Sequence, residues 1–136
     1  MAEGILSDKA KKAGLHWIID SAGTNGYHIG EAPHPLSQAT AWKHGIDISK
    51  QRCRKFIGQD FDRFDIVYAM AEEVITDMKR ITGKQYQPAK VELLMNVWAP
   101  GKNIDIPDPW SEPAAAYEAV YEMIDKACSK LIEQNS

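Results

Sequence analysis

The run Asp65-Ile66-Val67-Tyr68-Ala69-Met70 sets five apolar side chains in a row, so an extended strand here is apolar on both of its faces. Such a strand belongs in a parallel sheet covered by helices on either side, and the flanking sequence supplies them. Met1 to Ala13 spaces Ile5, Leu6, Ala10 and Ala13 among lysine and aspartate and then meets Gly14, which predicts an amphipathic helix. His16 to Ser21 predicts a strand over 16–21 that runs into the loop Ala22-Gly23-Thr24-Asn25-Gly26. Leu36 to His44 is free of breakers between Pro35 and Gly45, a second helix started by proline and stopped by glycine.

Downstream, Glu72 to Ile81 predicts a helix ended by Gly83, and Val91 to Met95 a short strand. Residues 96–110, with prolines at 100, 107 and 109, read as loop. Tyr117, Val120, Tyr121, Ile124, Cys128 and Leu131 then recur at helical spacing, the clearest periodicity in the chain. Helix and strand alternate throughout, which predicts one α/β domain over residues 1–136, a three-layer α/β/α arrangement on a parallel sheet. Domains of this kind usually have four or five strands. Only three are counted, and residue 1 already lies in a helix, so a truncated start is expected.

Composition narrows the function classes. With 136 residues, 44% of them hydrophobic and 26% charged, the chain can bury about 68–70% of its unfolded surface and needs no disulfide framework. Two cysteines and no signal peptide at Met1 lead to an expected cytoplasmic location. A net charge of −3 argues against a broad nucleic-acid surface, leaving only the local basic cluster Arg52, Arg54 and Lys55. No apolar run reaches the roughly 18 residues of a membrane span.

Several segments, in order and spacing, resemble the low-molecular-weight protein tyrosine phosphatases. They are Met1-Ala2-Glu3-Gly4-Ile5-Leu6, Asp20-Ser21-Ala22-Gly23-Thr24, Gly26-Tyr27-His28-Ile29-Gly30, Lys43-His44-Gly45-Ile46, Asp60-Phe61-Asp62-Arg63-Phe64-Asp65 and Asp108-Pro109-Trp110. The resemblance implies a parallel four-stranded sheet with flanking helices. It also implies a central strand running into a Cys-x5-Arg-Ser/Thr-Pro loop, directly before the Ala-Glu-Gly of the first helix. Such a loop cradles a phosphate dianion with backbone N–H groups and a bidentate guanidinium, and lowers the pKa of the attacking thiol. The two cysteines present do not reproduce it, since Gln59 stands six residues after Cys53 and Gln134 six after Cys128. The first central strand, the nucleophilic Cys and the phosphate-binding Arg are therefore expected to be missing, and residues 1–136 alone to be inactive.

By the same resemblance Asp108 is the general acid that protonates the leaving phenolate, and Trp110 walls the crevice where many members have a tyrosine. Read from the residues alone, Asp108-Pro109 is also compatible with a plain turn in which Ser111 caps the last helix. His34 and Pro35 correspond to the other crevice wall. Many members have an acidic residue in place of His34, and a solvated loop histidine is the alternative. Asn25 and Ala71 replace a serine and an aspartate of the usual supporting shell. His44 reads as a structural residue near a helix end.

Cys53, between Arg52 and Arg54, sits in a setting that favours a thiolate, or is simply an exposed cysteine. Cys128 falls on the apolar face of the last helix, and Trp17, Trp42 and Trp98 read as packing residues. The resemblance implies a phosphotyrosine protein or aryl phosphate as substrate, a cysteinyl-phosphate intermediate, no metal and no cofactor. It admits a weak homodimer, with no nucleic-acid or membrane partner. Related arsenate reductases need further cysteines, which makes that alternative poor. A non-catalytic phosphatase-like binding domain is the alternative from another class.

Overall fold

A computed structural model describes residues 1–135. The order of elements is α1 (Ala2–Lys12), α2 (Pro35–Lys43), α3 (Asp60–Arg63), β1 (Val67–Ala69), α4 (Glu72–Thr82), β2 (Val91–Leu93), α5 (Met95–Trp98) and α6 (Ala114–Gln134), with 3-10 turns at Gly83–Gln85 and Pro88–Lys90. Strands β1 and β2 pair in parallel with Val67 opposite Val91, Tyr68 opposite Glu92 and Ala69 opposite Leu93.

The doubly apolar run at 66–70 has the burial it requires. Ala69 and Leu93 join Phe56, Phe61 and Met78 in one buried cluster, with Val67 and Val91 against it. Tyr68 and Met70, pointing the other way as the strand period demands, pack on a second and larger cluster. That cluster is built from Ile5 of α1, Ala41 of α2, Met95 of α5 and Val120, Tyr121, Ile124, Ala127 and Cys128 of α6. The sheet thus lies between α3 and α4 on one side and α1, α2, α5 and α6 on the other, an α/β fold with a parallel sheet.

Helices α1 and α2 end by one device. Gly14 and Gly45 take left-handed φ values of 74° and 81°, which glycine adopts without the clash a Cβ would bring. Leu15 N–H then reaches Ala10 O at 2.9 Å and Ile46 N–H reaches Ala41 O at 2.9 Å, closing each helix with the six-to-one bond of a Schellman motif.

Several expectations are corrected. Among the described residues the sheet has two strands, and none forms over 16–21. Exposure alternates residue by residue from Leu15 to Asp20, as in an extended segment, and Ile18 is 87% exposed. These β-prone residues extend the chain but have no neighbouring ladder; pairing begins only at the isolated bridge Gly23–Lys55. The two formed strands are shorter than 65–70 and 91–95, and the expected loop at 96–110 opens with the last three residues of the α5 turn. Ser111 does not cap α6, whose N-cap is Pro113. Nor are the tryptophans all packing residues: Trp42 is 69% exposed, and Trp98, about half exposed, is covered by the Lys126 ammonium 5.9 Å from its ring centroid.

Within the basic cluster Arg54 has a structural role. Arg54 Nε donates to Asp20 Oδ2 at 2.9 Å and Nη1 to Asp60 Oδ2 at 3.0 Å, and the hydrogen bond to Asp60 is the main reason the Arg54 pKa is raised. Asp60 is almost fully buried and also accepts Ile57 N–H at 3.0 Å. Arg54 thereby clips the extended 16–21 segment to α3. Its charge is engaged by two carboxylates, and Cys53, half-buried, turns its Sγ to the Arg54 carbonyl at 3.9 Å. This is not the exposed cysteine that is one of the two readings of the sequence.

Candidate active site

The sequence between α5 and α6 is anchored at the carboxyl end of β1. Ile106 N–H donates to Met70 O at 2.8 Å, and the buried Ile106 side chain joins the larger core cluster. The segment leading to Asp108 is thus fixed just beyond the strand end, where open α/β sheets place their ligand crevices. Two further contacts hold it. Asn103 sits at φ 51° and exchanges hydrogen bonds with Asn96, N–H to Oδ1 at 2.9 Å and Oδ1 from Nδ2 at 3.0 Å. Asp105 Oδ1 accepts Glu72 N–H at 2.9 Å.

That last bond answers a departure seen in the sequence. Ala71 is the N-cap of α4 and offers no side-chain acceptor, so a free N–H at the helix start falls to a carboxylate from another loop, well placed against the helix dipole. Asp105 was not singled out from the sequence. Its only signal there is its position three residues before Asp108, and nothing in local spacing reveals a partner 33 residues away.

Asp108, Pro109 and Trp110 form a tight turn in which Trp110 N–H donates to Asp108 Oδ1 at 3.1 Å, the Asx geometry that aspartate favours. Glu112 N–H closes onto Pro109 O at 2.8 Å. Asp108 is exposed and Trp110 is 45% exposed, so both remain open to a ligand.

The structure brings His34 to the same place. Its ring meets Trp110 edge-on at 4.7 Å and stacks on Tyr117 at 5.2 Å with 25° between planes. His34 is also the N-cap of α2, with Nδ1 accepting Leu36 N–H at 3.0 Å. The solvated-histidine alternative therefore does not describe His34. Pro35 is the first residue of α2 and exposed, and it starts the helix.

Sequence reasoning missed His28 as a contact of this cluster. Its ring lies 4.3 Å from that of Trp110 and its Nδ1 is 2.8 Å from Glu31 Oε2. Asn25 Oδ1 is used locally, accepting Tyr27 N–H at 3.2 Å, which shapes the loop carrying His28.

In the sequence Tyr117 is legible only as a core position of the last helix, yet its hydroxyl donates to Trp110 O at 3.2 Å. Burial, followed by the Asp108 charge, pushes its pKa up. The arrangement is an aromatic wall of Trp110, His28 and His34 beside a solvent-accessible carboxyl group. It can stack on a flat substrate ring and offer a proton at its edge.

Among the described residues no three His, Cys, Asp or Glu side chains converge to hold a metal ion. A cleft of about 340 Å³ beside α1, lined by Ser7, Lys11, His16 and Trp17 among others, contains none of these site residues.

A profile of the family described as low molecular weight phosphotyrosine protein phosphatase matches residues 1–135. Low molecular weight protein-tyrosine-phosphatase YfkJ of Bacillus subtilis is 33% identical over 134 residues, covering 97% of this chain and 84% of that protein. Its crystal structure superimposes with a TM-score of 0.85 at 31% identity, over 98% of this chain and 83% of the other. The human low molecular weight phosphotyrosine protein phosphatase is 32% identical over 120 residues, 88% of this chain and 75% of its own length. The crystal structure of the low molecular weight protein tyrosine phosphatase from T. tengcongensis gives a TM-score of 0.87 at 28% identity, covering 98% of this chain and 88% of that one.

Proposed function

The chain belongs to the low molecular weight phosphotyrosine protein phosphatase family, and on that footing we propose that its intact form hydrolyses phosphotyrosine in proteins, and aryl phosphates, by way of a cysteinyl phosphate. Asp108 is the general acid, and Trp110 and His34 wall the substrate ring. The observation that carries this reading is the juxtaposition, beyond the end of β1, of the Asp108 turn with the Trp110, His28 and His34 rings.

No cysteine within residues 1–136 is followed six positions later by arginine, so the thiolate and the phosphate clamp are assigned to sequence outside them. Residues 1–136 by themselves are accordingly proposed to be inactive. The same absence favours a second reading, a phosphatase-like binding domain. No helix among the described residues is long and apolar enough to cross a membrane, in keeping with a proposed cytoplasmic setting.

The test is Asp108→Asn in the intact phosphatase. Turnover of aryl phosphates with poor leaving groups should fall by roughly 10²–10⁴-fold, the usual contribution of general acid catalysis, while inhibition by inorganic phosphate stays within about twofold. Unchanged turnover of phenyl phosphate would remove Asp108 from the mechanism. An intact protein with a Cys-x5-Arg loop and no turnover would favour the binding domain.

A further inference from the structure

Tyr117 joins three pieces that the chain order keeps apart. It is the fourth residue of α6 and 1% exposed, its ring stacks on the residue that caps α2, and its hydroxyl donates to the carbonyl of Trp110. A phenylalanine would fill the same space. The hydroxyl adds one thing, a bond to the turn that carries Asp108.

That bond has a direct consequence for the carboxyl group. Trp110 is held from both ends of its own backbone, its N–H by Asp108 Oδ1 at 3.1 Å and its C=O by Tyr117 at 3.2 Å. Fixing the carbonyl fixes the residue, and the N–H then fixes the rotation of the Asp108 carboxyl. With Oδ1 engaged as an acceptor, the proton of the acid form belongs on Oδ2, the oxygen left free for a leaving group. The Asp108 charge is also close enough to contribute to the raised Tyr117 pKa, after burial.

We propose that Tyr117 is a positioning residue for Asp108, aiming its carboxyl group through Trp110 and so setting how efficiently the leaving oxygen is protonated. The catalytic part rests on the reading of Asp108 as the general acid; the positioning part stands on the two hydrogen bonds alone.

Tyr117→Phe tests it, since the ring and its packing are kept. In the protein labelled with 5-fluorotryptophan, the Trp110 fluorine signal, assigned with Trp110→Phe, should shift or broaden in Tyr117→Phe. Its response to Asp108 titration should weaken, while the signals of Trp17, Trp42 and Trp98 stay in place. In the intact phosphatase kcat for phenyl phosphate should fall by roughly 10-fold, a typical cost of small misplacement, with KM within about twofold. p-Nitrophenyl phosphate, whose leaving group needs less protonation, should lose far less.

An unaltered Trp110 signal with an unaltered pH response overturns the proposal, as does an equal loss of kcat on the two esters. If instead Asp108→Asn turns over phenyl phosphate like the wild type, the assignment of the acid fails. The fluorine spectrum then still decides whether Tyr117 holds the turn.

Discussion

Gly4 lies in the first turn of α1, where helix propensity alone would favour alanine by up to about 1 kcal/mol. A Cβ built there meets Ile48 Cγ2 at 2.5 Å and Ile46 Cγ2 and Gln51 Nε2 at 3.3 Å. Ile48 is buried, so it has little room to retreat. Overpacking of this kind costs about 1–3 kcal/mol and should outweigh the propensity gain. Gly4→Ala is therefore expected to lower stability by about 1–2 kcal/mol, read as an earlier denaturation midpoint at unchanged slope. A midpoint at or above the wild type would mean that the 46–51 segment yields freely. The family resemblance singled out Gly4 by its place in Ala2-Glu3-Gly4, but only the approach of residues 46–51, across the chain, gives a reason for glycine.

At the scale of elements, α2 and α6 are tied by one cluster at the carboxyl end of α2. His44, its C-cap, stacks on Tyr121 at 3.9 Å with 10° between planes, and its Nε2 lies 2.6 Å from Glu118 Oε1. Lys43 Nζ stands 3.5 Å from the other Glu118 oxygen. The hydrogen bond with His44 is the main reason the Glu118 pKa is lowered below 4.5, with smaller contributions from the Lys43 and His44 charges. Because the folded pKa lies below the unfolded one, the folded state keeps the carboxylate to lower pH. The stabilisation is fully present above about 4.5 and is lost as pH falls through the lower folded value. Glu118→Gln should therefore lower the melting temperature at pH 6–7 and narrow the gap to wild type as the pH drops below 4. Parallel melting curves for the two proteins across that range would show that Glu118 carries no folded-state advantage. The sequence made His44 legible as a residue near a helix end, but not Glu118 as its partner, because the two are 74 residues apart.

For the whole molecule, what was legible followed from periodicity, and what was not followed from pairing. The apolar period of α6 and the glycines after α1 and α2 are local facts: α1 and α2 form within a residue of where they are expected, and α6 contains every residue of the apolar period. The double apolar run at 66–70 correctly demanded a covered parallel strand. Strand length and strand number depend on which backbone lies alongside, so residues 16–21 extend without pairing despite a composition like that of a strand. Asp108, Trp110 and His34, read together from the resemblance, do lie together in the structure, while Tyr117, His28 and Asp105 join them through contacts no spacing announces.

The same imbalance between helix and sheet predicts where residues 1–136 hold together best. α6 spans 21 residues and gives five of the twelve buried residues of the larger cluster, whereas the two paired strands are three residues each. Among the described residues β1 has one ladder partner, and short two-stranded pairings contribute little alone. Amide hydrogen exchange opens the least stable units first. We expect the slowest amides between Val120 and Leu131 of α6, with those of Val67–Ala69 exchanging faster although their side chains are covered on both faces. The measurement is hydrogen–deuterium exchange on the polypeptide of residues 1–136 under native conditions. Slowest exchange in β1 would show instead that the sheet, short as it is, forms the last unit to open.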